Sequence, residues 1–440
     1  MADILVVLLG NDTIGEVVRD RNGRLAFFYD GAYRRRADAT PLSASMPLAR
    51  REHDGATIGN FMWGLLPDNE RVLERWAREF QVSPRDPFGL LTNMGEDCPG
   101  AVQFARPDRV DEATQSGGVS WSDEAAIANR LRILRSDDAA WRPEHNSGRF
   151  SLAGVQAKFA LFREGTKWGE PYGRTPTTHI IKPGISGVGD HALNEHLCMT
   201  TARKLGLSAA MTEIVIFEDQ PAIVIERFDR AVQANKWIRI HQEDACQALG
   251  LHPSLKYQAE GGPGVAEIAK LIRSVVRPSD QADVALLQFA DALALNWLLG
   301  ATDAHAKNYS FLYVGRTARF APLYDIASYL PYGQYDKLKT AMKIGGEYRI
   351  KYMDAFRWRG AASELGRGVD KELFVGRVAS LAGRLPDALS EACSEVSALG
   401  NQFPNELAKS VRRAQRRAAD LLRRHVPPLE GRPGLTTSSE

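Results

Sequence analysis

Cysteine is scarce in this chain. Its 440 residues include four, Cys98, Cys198, Cys246 and Cys393, with no CxxC pair and no Cys/His ligand spacing. That pattern excludes a disulfide framework and a structural zinc site, and reads as buried thiols in a reducing compartment. An excess of charge of one sign is also missing. Lys and Arg number 56 against 54 Asp and Glu, a formal net charge of +2, so the molecule as a whole is no polyanion binder and any basic patch is local. The apolar run near the N-terminus, "ILVVLLG", has no basic segment before it and meets Asn11 and Asp12 early. This argues against a signal peptide or a spanning helix. The expected location is the cytoplasm, with no membrane partner. No internal repeat is visible. What remains is 44% hydrophobic and 25% charged, a soluble globular composition long enough for two or three domains.

Along the chain, residues 1–110 read as an α/β subdomain. "ILVVLLG", "TIGEVVRD" and "RLAFFYD" are strand patterns, "DRNGR" is a hairpin turn, "NERVLERWAREFQV" has helical periodicity and "CPGAVQFA" returns to strand. Residues 111–140 read as a polar, Gly/Ser-rich linker and a helix. A second α/β segment, 141–247, contains "RFSLAGVQAKFALFREG" as strand, glycine turn and strand, then "TTHIIKP" as strand and "ALNEHLCMTTARKLGL" as helix. "TEIVIFED" and "PAIVIERFDR" form a hairpin about Asp219. Residues 248–426 turn helical, and 427–440, rich in Pro, Gly, Ser and Thr, read as a disordered tail. A sheet-rich lobe therefore precedes a helical one.

The chemistry concentrates in loops. "GATDAHAKNYSF" sets Asp303 and Asn308 five apart, with His305 and Lys307 between them. Phosphoryl transfer needs a carboxylate for the acceptor proton, oxygen ligands for magnesium and cations on the phosphates. D-x4-N is the spacing of a kinase catalytic loop, and Asp325 in "PLYDIAS" follows the next strand segment, where a second magnesium ligand belongs. Upstream, Lys182 ends the strand "HIIK" and can face phosphates, with Glu195 on the next helix as its ion-pair partner. Gly154 in "GVQAK" allows close approach of backbone amides to phosphate oxygens, although this is no Walker A loop. "ERF", Glu226 to Phe228, closes a strand where a hinge offers backbone groups to adenine. Singly, each residue has a bland alternative: a solvated strand-end lysine, a structural histidine, a turn cap. Their order across a lobe boundary favours a phosphotransferase.

The blocks "SLAGVQAK", "TPTTHIIKP", "NEHLC", "VIERFDR", "QEDACQALG", "GATDAHAKNYSF" and "PLYDIAS", with "FMWGLLPDNE" and "DPFGLLTNMGEDCPGAVQF" before them, resemble the HipA family. These are serine/threonine-kinase toxins of bacterial toxin–antitoxin modules. The resemblance runs from about residue 4 to about residue 425. It implies an α+β, two-lobed protein-kinase-like fold: an N-terminal α/β lobe with an extra N-terminal subdomain that contacts the antitoxin, and an all-helical C-terminal lobe. It implies ATP and Mg2+, with Asp303 as catalytic base, Asn308 and Asp325 as metal ligands, and Lys182 on the phosphates. His305 and Lys307 would steady the γ-phosphate or the loop. Ala153, Gly154, Val155, Gln156, Ala157 and Lys158 would line the phosphate side of the nucleotide, and Glu226, Arg227, Phe228 and Tyr324 the remainder of its site. Ser151 matches the serine on which family members phosphorylate themselves. The implied protein substrate is an aminoacyl-tRNA synthetase, glutamyl-tRNA synthetase being the best-known case. The implied partners are a HipB-like helix-turn-helix antitoxin and, through that complex, operator DNA.

The last helix carries Lys409, Arg412, Arg413, Arg416, Arg417, Arg423 and Arg424. A solvated face explains them; so do phosphate contacts on operator DNA, with Arg412, Arg413, Arg416 and Arg417 as candidates. Two other functions are compatible with the same blocks. One is a catalytically idle, DNA-bound corepressor, against which the intact Lys182, Asp303, Asn308 and Asp325 set argues. The other is a kinase acting on a small molecule or lipid.

Overall fold

A computed structural model describes residues 3–10, 12–115, 117–141, 150–366 and 368–423. The tail 427–440 and Arg424 lie outside the described residues. Strands β1 (Asp3–Leu9), β2 (Asp12–Arg19), β3 (Leu25–Tyr29), β4 (Glu52–Asp54) and β5 (Val102–Ala105) form an antiparallel sheet in the order β4-β3-β2-β1-β5. The β2–β3 hairpin closes through Asn22 and Gly23. Asp20 Oδ1 accepts from the amides of Asn22 and Arg24, and Gly23 takes φ +77°. Helices α1 (Gly55–Leu65), α2 (Glu70–Phe80) and α3 (Pro87–Met94) share a core with the inward face of this sheet. On β1 the alternate residues Val6 and Leu8 pack instead on Ala113 of α4 (Val110–Thr114), so both faces are covered and the strand is apolar throughout.

The second sheet has the order β10-β11-β9-β7-β8-β6, with β6 (Gly118–Ser122), β7 (Phe159–Glu164), β8 (Lys167–Tyr172), β9 (His179–Lys182), β10 (Thr212–Phe217) and β11 (Gln220–Glu226). The polar stretch expected as a linker thus ends in an edge strand, β6, paired to β8. Its Gly/Ser-rich composition is that of an edge with little to bury. Sheet β6–β11 lies between α5 (Glu124–Ser136) and α6 (His191–Lys204). Along β11 the period-two alternation divides two cores: Ala222 and Val224 face the N-terminal core, Ile223 and Ile225 the C-terminal one.

A hairpin, β12 (Arg230–Gln233) and β13 (Lys236–Arg239), leads into the C-terminal lobe. That lobe is built on α8 (Val265–Val275), α9 (Ser279–Leu299), α10 (Ala355–Leu365), α11 (Lys371–Glu395) and α12 (Phe403–Arg423), after the single turn α7 (Ala245–Ala248). It is not all-helical. β14 (Gln242–Asp244), β15 (Ser310–Val314) and β16 (Thr317–Phe320) form one small sheet, β17 (Lys339–Ile344) and β18 (Glu347–Arg349) another. The first of these holds the downstream end of the 300–309 loop, which runs into β15, while its upstream end is fixed by α9. α9 is long and apolar enough to cross a membrane, but most of it is buried at the centre of this lobe.

The N-terminal subdomain is joined to the rest by a buried charge network. Asp97 accepts from Arg230 at 2.9 Å, from Arg239 at 3.0 Å and from the Thr177 hydroxyl at 2.6 Å. Arg227 pairs with Asp229 and donates to the carbonyl of Cys98, while Asp229 accepts from the amide of Gly100. Burial alone would raise the Asp97 carboxyl; the charges of Arg239, Arg230 and Arg227 hold it well below the usual range.

Candidate active site

The catalytic-loop stretch follows α9 directly. Gly300 ends that helix in the left-handed region at φ +61°, with its amide on the Trp297 carbonyl, and a Cβ there would lie 2.7 Å from Leu330 Cγ. Glycine is therefore required at this point, and the chain turns sharply into 301–308. Within the loop the His305 amide donates to the Asp303 carbonyl at 2.8 Å, and the Asn308 amide to the His305 carbonyl at 2.9 Å. The Asn308 side chain donates to the Asp303 carbonyl at 3.2 Å, and the Tyr324 hydroxyl to the Lys307 carbonyl. These bonds fix Asp303 and Asn308 relative to each other.

The strand-end lysine stands where the sequence placed it. Lys182, 5% exposed, donates to Glu195 Oε1 at 2.7 Å and to Asp325 Oδ1 at 2.6 Å. Strand β9 delivers the lysine, α6 the glutamate, and the segment after β16 the aspartate. Burial works against the charge on Lys182, but Asp325 and Glu195 outweigh it and raise the ammonium above its ordinary value. Asp325, by the same pairing, is held well below the carboxylate range. Its backbone sits at φ +60°, a conformation unfavourable for a side chain with a Cβ and most often retained where a group must point in one direction.

The expected strand before Gly154 does not form. Residues 151–158 run irregularly because their backbone partners belong to the N-terminal subdomain: the Ser151 amide bonds the Asp97 carbonyl, and the Gly154 carbonyl accepts from the Asp68 amide. Gly154 has φ +103°, and a Cβ on it would approach Lys158 Nζ to 2.6 Å. Lys158 donates to the Ala153 carbonyl at 2.6 Å, and burial, then the neighbouring charge of Lys182, lowers its ammonium to about 8. The Ser151 hydroxyl is fully buried and donates to the Leu65 carbonyl at 2.7 Å.

These groups surround one cleft of about 1060 Å³ between the lobes. Ala153 to Lys158, Lys182, Glu226 to Phe228, Asp303, His305, Lys307, Asn308, Tyr324 and Asp325 all reach its wall; Ser151 does not. Phe228 and Tyr324 face each other with ring centroids 5.5 Å apart, an apolar wall at the hinge side. Arg227 departs from its expected role. Its guanidinium is engaged by Asp229, Thr177 and the Cys98 carbonyl, so it braces the hinge and is not available to a nucleotide. Lys307 donates to Asp68 Oδ1 at 2.6 Å, the loop-steadying one of the two roles expected for it. His305 is buried, its Nδ1 without a hydrogen-bond partner among the described residues, and burial, then Lys256, lowers its imidazole to about 4.

Two residues outside the expected set shape the loop. Asp68, in "LLPDNE", clamps Lys307 and Lys256; nothing in the sequence around it assigns that acid a role. The Tyr257 hydroxyl donates to Asp303, and its ring meets His305 edge-on at 4.9 Å. Burial raises the Asp303 carboxyl, Tyr257 pulls it back, and the charge of Asp325 pushes it up again.

The residues suit a magnesium nucleotide. Lys158, Lys182, Asp303, Asn308 and Asp325 line one cleft, and among the described residues the buried Gln156 Nε2 and His305 Nδ1 have no hydrogen-bond partner. Among the described residues no three His, Cys, Asp or Glu converge on one point. A donor set of Asp325 and Asn308 alone matches a cation that takes its other ligands from phosphate and water.

Residues 5–105 match the HipA N-terminal domain, and residues 150–393, more than half of the chain, match the HipA-like C-terminal domain. The chain belongs to the HipA family. It is 35% identical to "Putative kinase Y4mE" of Sinorhizobium fredii over 88% of this chain and 91% of that protein. Identity to the serine/threonine-protein kinase toxin HipA of Shewanella oneidensis is 30%, over 80% of each. A solved complex of Shewanella oneidensis HipA, HipB and operator DNA contains a chain that superposes with a TM-score of 0.80 at 26% identity, covering 95% of this chain and 98% of that one. The fold is thus the HipA one, with a kinase-like body and an added N-terminal subdomain.

Proposed function

We propose that this HipA-family chain is an active Mg-ATP-dependent serine/threonine protein kinase and the toxin of a toxin–antitoxin module. One observation carries the reading: Lys182 lies between Glu195 and Asp325 in the same cleft as Asp303 and Asn308. An idle corepressor has no need of a buried, doubly paired lysine facing a catalytic loop. Lys182 and Lys158 neutralise the phosphates, and Phe228 with Tyr324 walls the base. Asn308 and Asp325 would hold Mg2+, which when bound supplies further charge neutralisation at the transferring group. Asp303 takes the acceptor proton, and burial, by lifting its carboxyl, makes it a stronger base. The Tyr257 hydroxyl marks the direction from which an acceptor hydroxyl would donate to Asp303, and it gives way when the acceptor arrives.

We also propose self-inactivation by phosphorylation of Ser151, a reading its buried surroundings support. A doubly charged phosphate cannot remain in a buried site against the Leu65 carbonyl, so phosphorylation expels the 151–158 segment and empties the phosphate side of the cleft. By analogy with the toxin relatives, the target is a translation component. We propose an aminoacyl-tRNA synthetase, glutamyl-tRNA synthetase first, whose loss of charging arrests growth. A HipB-like antitoxin and operator DNA are the proposed partners, and the exposed face of α12, with Arg412, Arg413, Arg416 and Arg417, the proposed phosphate contact. The test is phosphoproteomics after brief induction of wild type and Asp303→Asn. A serine or threonine site that is phosphorylated only with the wild type identifies the substrate; no difference between the two strains refutes the reading.

A further inference from the structure

The short segment Leu65–Asp68 touches both halves of the cleft from outside them. Its carbonyl at Leu65 accepts from the Ser151 hydroxyl at 2.7 Å. Pro67 forms a parallel bridge with Gly154, and the Asp68 amide donates to the Gly154 carbonyl at 3.0 Å. The Asp68 carboxylate reaches the other way, accepting from Lys307 through Oδ1 at 2.6 Å and from Lys256 through Oδ2 at 3.0 Å. Lys256 in turn holds the loop a second time, its carbonyl accepting from the Ala306 amide at 3.1 Å. Both ion pairs are largely shielded: Asp68, Lys307 and Lys256 side chains are 12%, 5% and 13% exposed.

The segment is itself fixed. It begins at the last residue of α1, and α1 is tied to the C-terminal lobe where Gln247 Nε2 donates to the Phe61 carbonyl at 3.0 Å and Asn60 Nδ2 to the Gly250 carbonyl at 2.8 Å. Resting on the kinase reading above, we propose that Asp68 is a positioning residue of the catalytic loop, and that Leu65–Asp68 latches the catalytic and phosphate-side loops into one unit. On this view the N-terminal subdomain completes the active site. Asp68 stands at the cleft wall with both carboxylate oxygens engaged by Lys307 and Lys256. It acts by fixing the position of Lys307, and therefore of Asn308 next to it and Asp303 across the loop. Small displacements of such groups cost rate more than ground-state binding.

The experiment uses the full chain. Asp68→Asn keeps the backbone donor to Gly154 and removes both ion pairs. With Mg-ATP as substrate and transfer of the γ-phosphate as the signal, the variant should lose about 10- to 100-fold in kcat, while its affinity for Mg-ATP changes less than about threefold. Its loss combined with Lys307→Met should be less than the product of the two single losses, since both break one pair. Amide exchange without nucleotide should quicken by at least about tenfold in 304–308 and in 152–158, with α9 unchanged. A wild-type kcat in Asp68→Asn overturns the positioning role, as do fully multiplicative losses. Unchanged exchange in both loops overturns the latch. If the wild type transfers no phosphate, the kinase reading fails, while the exchange measurement still decides the latch. Should Asp68→Asn not fold, Lys307→Met breaks the same pair from the other side and carries the exchange measurement.

Discussion

Lys158 offers a test in which the pH axis does the discriminating. It lies in the loop on the phosphate side of the cleft, bound to the Ala153 carbonyl, with Lys182, Asp325, Asp68 and Glu195 as its charged neighbours. Burial lowers its ammonium to about 8, so it is mostly charged at pH 7 and mostly neutral at pH 9. Only the charged form attracts phosphate, and nucleotide binding must therefore take up a proton as pH rises through that value. The apparent affinity for Mg-ATP should be nearly flat below about pH 7 and about tenfold weaker at pH 9 than at pH 7. Titration calorimetry at pH 7, 8 and 9, in two buffers of different ionisation enthalpy, reads both the affinity and the proton uptake. Lys158→Met should bind weakly at every pH with no proton linkage. Lys158→Arg should bind with little pH dependence, because a guanidinium stays charged throughout. A wild type whose affinity is flat from pH 7 to 9, or a Lys158→Met variant with the same slope as the wild type, would refute the reasoning.

Four further outcomes are expected. Asp303→Asn and Asp325→Asn should fold and each lose at least about 100-fold in phosphate transfer, one by removing the proposed base and the other by removing a proposed metal ligand. Mass spectrometry of the free enzyme incubated with Mg-ATP should find phosphate on Ser151, and Ser151→Asp should bind nucleotide poorly; a persistently unmodified Ser151 counts against self-inactivation. Asp97→Ala should lower unfolding stability by about 3–5 kcal/mol in denaturant titrations, because it strands buried guanidinium groups. Since the folded Asp97 carboxyl is depressed, its contribution is present above about pH 4 and lost as pH falls below that. Replacing Arg412, Arg413, Arg416 and Arg417 by Ala should shallow the salt dependence of operator binding by the antitoxin complex, by about 0.9 for each DNA phosphate that the variant no longer neutralises. Arg417 already lies 4.7 Å over the Tyr335 ring and 3.7 Å from Asp336, so the change expected is that of the other three arginines; an unchanged slope returns α12 to a solvated face.

The sequence carried the site further than the fold details. Asp303, His305, Lys307 and Asn308 share one short loop, so their spacing can be read directly, and Lys182 and Glu195 are legible as a strand end followed by a helix. Asp68 is not, because its bond to Lys307 spans 239 positions and leaves no periodic trace. Arg227 misleads for the opposite reason: its place beside Phe228 suggests a nucleotide contact, and only the fold brings Asp229, Thr177 and the Cys98 carbonyl to its guanidinium. β6 is hard to see because an edge strand with polar residues has no alternation to detect. The strand segment before Asp325 is legible, but not its division into β15 and β16 or the pairing of Gln242 with Leu312, which is non-local. Ser151 illustrates a subtler limit. Its position in the chain is evident, but its burial depends on Leu65, 86 residues away.

The buried carboxylate of Asp97 also constrains the order in which the molecule can be made. A ribosome delivers the N-terminal subdomain first, yet Arg239, one of the guanidinium partners of Asp97, lies 142 residues downstream. At about 5–20 residues per second, that partner emerges roughly 7–28 seconds later. During the interval the subdomain lacks the partner for a carboxylate that its finished form buries, so that form is disfavoured until the guanidinium groups arrive. Asp68 waits longer still, because its partners Lys256 and Lys307 lie 188 and 239 residues downstream. An enzyme proposed to halt translation would be assembled last at the point where it acts, and a nascent fragment would leave the ribosome unarmed.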